Sequence, residues 1–322
     1  MKRSGTMTLN EPEAGADAGI DASGDVAQLP GAPDREGYSH YRIGEVRLAL
    51  RSDLPDVLEE FAWLYAPIDP ASAAPTDDST VIRMEVRQGR RTAFGRRTYE
   101  ISGDGVAIKT VRSRRELLPY LEWGINYRLI ARASRFLQLH AASLVRRGKG
   151  FIFCGMSGAG KSTLAAALLS RGWTYLCDEF ALIHRQTHRL HAFPKALCIK
   201  AGSFDLVGRM GLPLVGGRCY VKALKGRVAY VNPPRRSLPK AGAATAINYI
   251  FFPSYTGNAS PRTSAVKPAR AMMALASQAL NRNVVGLDTV PILSRIVRDA
   301  QCYSLESGPL EATCELIESL AG

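Results

Sequence analysis

The chain has 322 residues, of which 46% are hydrophobic and 22% are charged, with a formal net charge of +13. This length allows two ordinary domains or one large one. No uninterrupted apolar run is long enough to cross a bilayer, and the N-terminus lacks the apolar core of a signal peptide, so we expect a cytoplasmic protein. The six cysteines include no C-x-x-C pair, which argues against a disulfide framework or a zinc knuckle.

The positive charge is unevenly distributed along the chain. Residues 1–36 carry three basic and seven acidic side chains, a net of −4, which leaves +17 on the rest. The basic clusters at 87–97, 112–115 and 233–240 come without a helix-turn-helix, a zinc finger or an aromatic stacking platform. We therefore predict no nucleic-acid or membrane partner. The clusters are interpreted either as solvated surface or as a field that steers an acidic peptide.

The N-terminal part is predicted to contain a tail and a small module. Residues 1–37 have almost no large apolar side chains, so we expect a disordered tail. Residues 38–136 are predicted to form an accessory α+β module. Its elements, in chain order, are a strand at 41–52, a helix at 53–65, strands at 80–87 and 96–102, and a helix over 117–136.

Residues 137–322 are predicted to form a second domain that opens with a hairpin. The segment LQLHAASLVRRGKGFIFC reads as two strands joined by a turn at RRGKG. After a Gly-rich loop and a helix over TLAAALLSRG, the apolar run WTYLC (173–177) predicts another strand. We expect that strand to be parallel to the strand ending at Cys154 and to neighbour it.

The Gly-rich loop is the most specific motif of the sequence. Gly155, Gly160, Lys161 and Ser162 match G-x-x-x-x-G-K-[ST], the Walker A pattern, between a predicted strand and a predicted helix. Such a loop holds phosphates with backbone N–H groups, while the lysine reaches the β and γ phosphates and the serine hydroxyl coordinates Mg²⁺. ATP and Mg²⁺ are the predicted cofactors. The residues predicted to bind them in this loop are Gly155, Ser157, Gly158, Ala159, Gly160, Lys161, Ser162 and Thr163.

Two acids follow the strand after the P-loop helix. Asp178 and Glu179 come directly after WTYLC, where Mg²⁺ or an attacking hydroxyl lies in a Walker B arrangement. Adjacent acids can also form a merely solvated strand end. We favour the functional interpretation because of their spacing from Lys161.

Four histidines raise the question of metal binding or catalysis. His184, His188 and His191 lie in a predicted hairpin with its turn at RQTH, and their loose spacing does not predict a zinc site. His140 is different, because it lies on the strand that precedes the P-loop strand. From the residues alone, a packed histidine and a functional one both stay open.

Several segments resemble a known family. LHAASL, GMSGAGKST, RGW and LCDEFALI occur in this order, and together they resemble the catalytic core of the HPr kinase/phosphorylase family, a P-loop fold related to phosphoenolpyruvate carboxykinase. LLPYLEWGIN, IKAGSFDLV and YSLESGPLEAT are more similar to the HPr-kinase-related kinases (HprK-related kinase A), which are associated with modified-peptide systems. The resemblance covers about residues 40–322. It implies an α/β fold with a P-loop core, a mixed sheet and a smaller N-terminal α+β module.

The resemblance also implies roles for individual residues. Asp178 would be the general base toward an acceptor hydroxyl, His140 would support that carboxylate, and Lys161 would act on the phosphates. Glu179 stands where the family usually has a second aspartate, and it would bind the metal together with Ser162. The E-[VI]-R-G-x-G signature of the bifunctional family members is missing from this sequence.

Other polar residues have weaker signals. Lys200, Arg235 and Arg236 are the best further cations for a phosphate or an acceptor, with a surface position as the alternative. LNRN (280–283) follows a predicted helix and is interpreted as a cap. The sequence is compatible with a homo-oligomer and does not name the acceptor or the nucleotide base.

The leading hypothesis is an ATP-dependent kinase that phosphorylates a Ser/Thr hydroxyl on a peptide or small protein, in a modified-peptide system. The alternative is a regulatory or chaperone module that binds ATP without transferring phosphate. A small-molecule phosphotransferase or a carboxykinase-like enzyme is a third option. Asp178 favours chemistry over mere binding, since a binding module needs Lys161 but no base.

Overall fold

The computed structural model describes residues 33–65, 80–92, 94–156, 158–212, 214, 219–223, 225–240 and 242–321. Most of the predicted N-terminal tail (1–37) and the predicted nucleotide ligand Ser157 lie outside these residues. The described chain is a mixed α/β protein with three sheets. None of its described helices combines the length and the apolar content that a membrane crossing requires.

The first sheet has five strands in the order β1-β2-β3-β4-β5. The predicted strand at 41–52 is in fact a hairpin, since a two-residue turn at Gly44 and Glu45 separates its halves. The prediction also missed the last strand, which a turn at Asp104 and Gly105 introduces. The five strands are β1 (Ser39–Ile43), β2 (Val46–Ser52), β3 (Thr80–Gln88), β4 (Tyr99–Gly103) and β5 (Val106–Val111).

Two helices pack against this first sheet. Helix α1 (Pro55–Leu64) confirms the predicted helix at 53–65. Helix α2 (Arg114–Arg132) begins three residues before its predicted start and ends before Phe136, where a strand begins. The Ser113 side chain caps α2 by accepting a hydrogen bond from the backbone N–H of Arg115. The side chains between these helices and the sheet form one apolar core with residues of the second half of the chain, including Phe180 and Tyr230.

The central sheet has nine strands and carries the Gly-rich loop. The predicted hairpin before that loop is confirmed, because β6 (Phe136–Arg146) pairs antiparallel with β7 (Lys149–Cys154). On its other side β7 pairs parallel with β15 (Ile247–Tyr255), and β15 pairs parallel with β17 (Gln301–Ser307). The remaining strands are β8 (Thr174–Cys177), β9 (Phe180–His184), β10 (Leu190–His191), β14 (Ala244–Thr245) and β16 (Arg262–Ala265).

The neighbour predicted for the strand at 173–177 was wrong. β8 pairs antiparallel with β6, so β6 lies between β8 and β7, although β7 and β8 run in the same direction. The long strand β6 pairs with β9 through its first half and with β8 through its second half. The short link between β8 and β9 therefore lies beside the middle of β6.

The third sheet and the remaining helices complete the fold. β11 (Leu197–Lys200), β13 (Gly226–Val231) and β12 (Tyr220–Lys222) form a three-stranded antiparallel sheet. Helix α3 (Lys161–Ser170) begins directly after the Gly-rich loop and is almost wholly buried, as its run of Leu and Ala residues predicts. The helices that follow it, in chain order, are α4 (Phe204–Arg209), α5 (Pro268–Ser277), α6 (Arg282–Val285), α7 (Thr289–Asp299) and α8 (Leu310–Ala321).

The interpretation of LNRN (280–283) as a cap of the helix before it was wrong, because α5 ends at Ser277 and its C-cap is Gln278. Asn281 precedes α6, but its side chain makes no capping hydrogen bond. It is fully buried instead, accepts a hydrogen bond from the backbone N–H of Gln138 and donates one to the carbonyl of Phe136. The side chain therefore pairs with the backbone of β6 and serves the sheet rather than the helix.

Candidate active site

The Gly-rich loop connects β7 to α3, and we call it the cradle because its sequence predicts phosphate binding. Gly158 and Gly160 have φ angles of 94° and 82°, which strongly favour glycine. Gly155 has a close neighbour as well, since a Cβ there would lie 3.3 Å from the carbonyl oxygen of Pro253. The loop places the N-terminus of the ten-residue helix α3 at the mouth of a cleft of about 210 Å³. The described lining of this cleft includes Gly158, Gly160, Lys161, Ser162, Thr163, His140, Asp178 and Glu179.

Lys161 is the first residue of α3 and is 7% exposed. Its ammonium donates hydrogen bonds to the carbonyls of Gly155, at 2.5 Å, and Met156, at 3.0 Å. Burial lowers the pKa of Lys161. A phosphate in the cradle would replace these two neutral acceptors with charged oxygens and would favour the ammonium form.

Ser162 lies beside one of the two predicted acids. Its hydroxyl donates to Oδ2 of Asp178 at 3.3 Å. The carboxylate is 1% exposed and also accepts from the Tyr175 hydroxyl, at 3.0 Å, and from the Cys198 backbone N–H, at 3.4 Å. The serine at the start of α3 and the acid after β8 therefore meet in the cleft.

Glu179 points toward cations rather than toward Ser162. It accepts a hydrogen bond of 2.6 Å from the Asn126 side chain and lies 3.5 Å from the Lys195 ammonium and 3.6 Å from that of Lys225. Burial raises the pKa of Glu179, but the ammonium groups around it outweigh burial and hold that pKa far below its usual value. The carboxylate is therefore ionised and its charge is already balanced.

A second layer of charged residues lies behind the two acids. Glu122 of α2 is completely buried and accepts from Lys195 at 2.6 Å, from the Tyr230 hydroxyl at 2.8 Å and from Lys222 at 3.2 Å. Lys195 is completely buried as well, and it also lies 3.5 Å from Oδ1 of Asp178. Buried charges of this kind are tolerated only when they are paired.

His140 lines the same cleft from the middle of β6. Burial and the positive charge of Lys161 lower the pKa of its imidazole, so the ring is neutral at neutral pH. Among the described residues, no hydrogen bond joins this ring to Asp178. Direct support of the carboxylate by His140, as the resemblance implies, stays a prediction.

The other candidates are divided between the cleft and the surface. Thr163 forms a hydroxyl–hydroxyl hydrogen bond of 3.1 Å with Ser203, and both side chains line the cleft. Lys200 lines it too, whereas the described lining includes neither Arg235 nor Arg236.

The donor set in the cleft fits Mg²⁺ held together with a nucleotide. Mg²⁺ takes one or two protein oxygens and completes its shell with phosphate oxygens and water. Ser162 and Asp178 supply two such oxygens beside the cradle. Without a nucleotide, the described residues hold no group of three or more His, Cys, Asp or Glu side chains arranged for a metal. That His184, His188 and His191 do not form a zinc site stays a prediction.

Most of the residues that surround Asp178 and Glu179 were not predicted from the sequence. Glu122 lies on the apolar face of α2, and a charge at such a position predicts a buried partner. Lys195 likewise interrupts the apolar run between β10 and β11. These two charged residues in apolar segments were the signals available in the sequence, but the sequence pattern does not predict that they contact each other.

Comparisons with known proteins add two observations. A family model described as "ScmC: SynChlorMet cassette protein ScmC" matches residues 119–206, a segment that runs from α2 to α4. Among solved structures, the Hpr(Ser) kinase/phosphatase from Coxiella burnetii aligns with 57% of this chain and 87% of its own, at 15% identity and a TM-score of 0.28. No curated protein matches the chain.

Proposed function

We propose that the protein is an ATP-dependent kinase that transfers the γ-phosphate to a Ser/Thr hydroxyl of a peptide or small protein. The observation that carries the proposal is the contact between Ser162 and Asp178 beside the Lys161 cradle. A loop that only binds nucleotide requires the cradle, whereas phosphotransfer also requires a carboxylate at the reacting end. The match to a cassette protein supports a role in a biosynthetic cassette. The peptide acceptor follows from the resemblance to the HPr-kinase-related kinases.

Each residue contributes to phosphotransfer through its position. The backbone N–H groups of the loop and the Lys161 ammonium would bind and neutralise the phosphates, mainly in the transition state. Ser162 and Asp178 would hold Mg²⁺, which would offset the negative charge of the phosphates. The cleft-facing Oδ2 of Asp178 would also accept the proton of the acceptor hydroxyl while that oxygen bonds to the γ-phosphorus, the bond from the γ-phosphorus to the β-phosphate oxygen breaks, and ADP leaves.

One observation favours the alternative function of ATP binding without transfer. Asp178 is nearly inaccessible, and both of its oxygens have polar partners within the protein. A base that is so fully engaged must exchange at least one of these partners before it can accept a proton. A regulatory or chaperone module would not need that exchange.

Incubation with γ-labelled ATP and Mg²⁺ separates the two functions. The acceptor would be a pooled library of peptides that contain Ser or Thr, and mass spectrometry would locate the phosphate. We expect the label on Ser or Thr side chains. Tight binding of ATP together with unlabelled peptides and no ADP formation would favour the binding module. A gene for a precursor peptide beside this gene would supply the natural acceptor to replace the library.

A further inference from the structure

Lys195 occupies an unusual position, because one buried ammonium contacts three carboxylates. Its Nζ lies 2.6 Å from Oε1 of Glu122 and 3.5 Å from oxygens of both Asp178 and Glu179. The side chain is completely inaccessible to solvent. Glu122 alone would balance its charge, so charge balance does not explain why it also reaches the two acids at the cleft.

Glu122 fixes the place of Lys195. Its Oε1 accepts from Lys195, and its Oε2 accepts from Tyr230 and from Lys222. Both oxygens are therefore occupied, and the carboxylate is held from α2 on one side and from the third sheet on the other. Since Lys195 lies on the segment between β10 and β11, this contact ties that segment to α2.

The same helix also touches the acids directly. Asn126, one turn after Glu122, donates to Oε2 of Glu179 at 2.6 Å. Oε2 of Glu179 and Oδ1 of Asp178 thus both face the buried cluster, which leaves Oδ2 of Asp178 toward Ser162. Two adjacent carboxylates repel each other unless a cation lies between them, and Lys195 is that cation.

We propose that Lys195, anchored by Glu122, is a positioning residue for Asp178 and Glu179, so that helix α2 of the N-terminal module is an integral part of the active site. The inference rests on the proposed kinase function. Lys195 touches neither the cleft nor a substrate, and it acts by fixing which oxygen of Asp178 faces Ser162. Misplacement of a reacting group by about 1 Å can lower a rate about 100-fold.

The test compares wild type with the double variant Glu122→Gln/Lys195→Met. The double variant removes one positive and one negative charge, so the net charge of the buried cluster is unchanged and Glu122 is not left as a buried carboxylate without Lys195. We expect kcat for γ-phosphate transfer from MgATP to the Ser/Thr peptide library to fall by about 100-fold, with KM for ATP within about threefold of wild type. Asp104→Asn/Arg128→Met is the matched control, since it removes an ion pair between α2 and the β4–β5 turn and should keep wild-type kcat.

The single variant Glu122→Gln extends the test if the double variant does not fold. It is nearly isosteric and should lower kcat in the same direction by a smaller factor. A folded variant of either kind with wild-type kcat overturns the positioning role, and so does an equal loss of kcat in the matched control. Absence of transfer by the wild-type protein itself would instead refute the kinase function on which the inference rests.

Discussion

The hydroxyl of Ser162 lies 3.3 Å from Oδ2 of Asp178 and donates a hydrogen bond to it. The two residues belong to different elements, since Ser162 is in the first turn of α3 and Asp178 follows β8. Their contact brings the hydroxyl that we propose as a Mg²⁺ ligand to a buried carboxylate. The account of this protein as a phosphotransferase depends on this pair.

Lys161→Ala should abolish phosphotransfer. The ammonium lies at the cradle and would meet charge that spreads over the phosphate oxygens in the transition state. We expect kcat to fall by at least about 100-fold, as for the loss of one such donor. Initial rates of ADP formation measure the effect, with Lys109→Ala, an exposed lysine of β5, as the control. Normal turnover in Lys161→Ala would contradict the assignment of the cradle.

Asp104→Asn should destabilise the protein in a pH-dependent way. Although burial opposes ionisation of Asp104, hydrogen bonds from the Arg83 backbone and from Arg128 and Arg132 outweigh it and lower the pKa of the carboxyl. A lowered pKa in the folded state stabilises the protein above the unfolded pKa of about 4, and this contribution is lost as pH falls. We expect a loss of about 1–3 kcal/mol at pH 7.

Urea unfolding at neutral and acidic pH measures this difference. The gap between wild type and Asp104→Asn should shrink as pH falls below about 4, because the wild-type carboxyl becomes protonated. Asp205→Asn, at an exposed acid of α4, should change stability little at either pH. A gap that does not depend on pH would mean that the charge of Asp104 is not what stabilises the fold.

Asn281→Ala should destabilise the central sheet. The variant leaves the Gln138 N–H and the Phe136 carbonyl without their buried partner, which costs about 1–3 kcal/mol for each group. Asn283→Ala is the matched control, because Asn283 is exposed two residues away. Chemical denaturation of both variants gives the comparison. Equal stabilities would show that the hydrogen bonds of Asn281 do not support β6.

Salt should weaken capture of an acidic peptide more than binding of ATP. The loop between β3 and β4 presents four exposed arginines around the exposed Phe94 (Arg90, Arg91, Arg96 and Arg97). Steering by such charges is screened beyond about 8 Å at physiological ionic strength, whereas contacts in the cradle are short. We expect kcat/KM for an acidic Ser/Thr peptide to fall more steeply with salt than kcat/KM for ATP. Equal dependence of both kcat/KM values on salt would mean that these arginines are solvated surface and do not steer the peptide.

Local sequence patterns predicted the loop and its flanking elements, because their signals lie within a few residues. The Walker A spacing, the β6–β7 hairpin and the acids after β8 were all read in this way. The β1–β2 hairpin was missed because Gly44 and Glu45 turn the chain in only two residues, which leaves no loop long enough to separate the two strands in the sequence.

The contacts that organise the two acids could not be predicted in the same way. Glu122 and Lys195 are 73 residues apart, and no local periodicity encodes their meeting. The neighbour of β8 was misassigned for the same reason, since strand order depends on tertiary packing. The resemblance named the acids, but only the tertiary packing places Glu179 beside lysines and Asp178 beside Ser162.

The most direct test of the phosphotransfer account is the Asp178→Asn variant, assayed at once for ATP binding and for transfer. Calorimetric titration with ATP and Mg²⁺ gives the affinity, and γ-labelled ATP with the Ser/Thr peptide library gives the rate. The account predicts that nucleotide is still bound through the loop and Lys161, while transfer is lost because an amide cannot accept the proton. Loss of both together would limit Asp178 to the metal, and transfer at the wild-type rate would contradict the account.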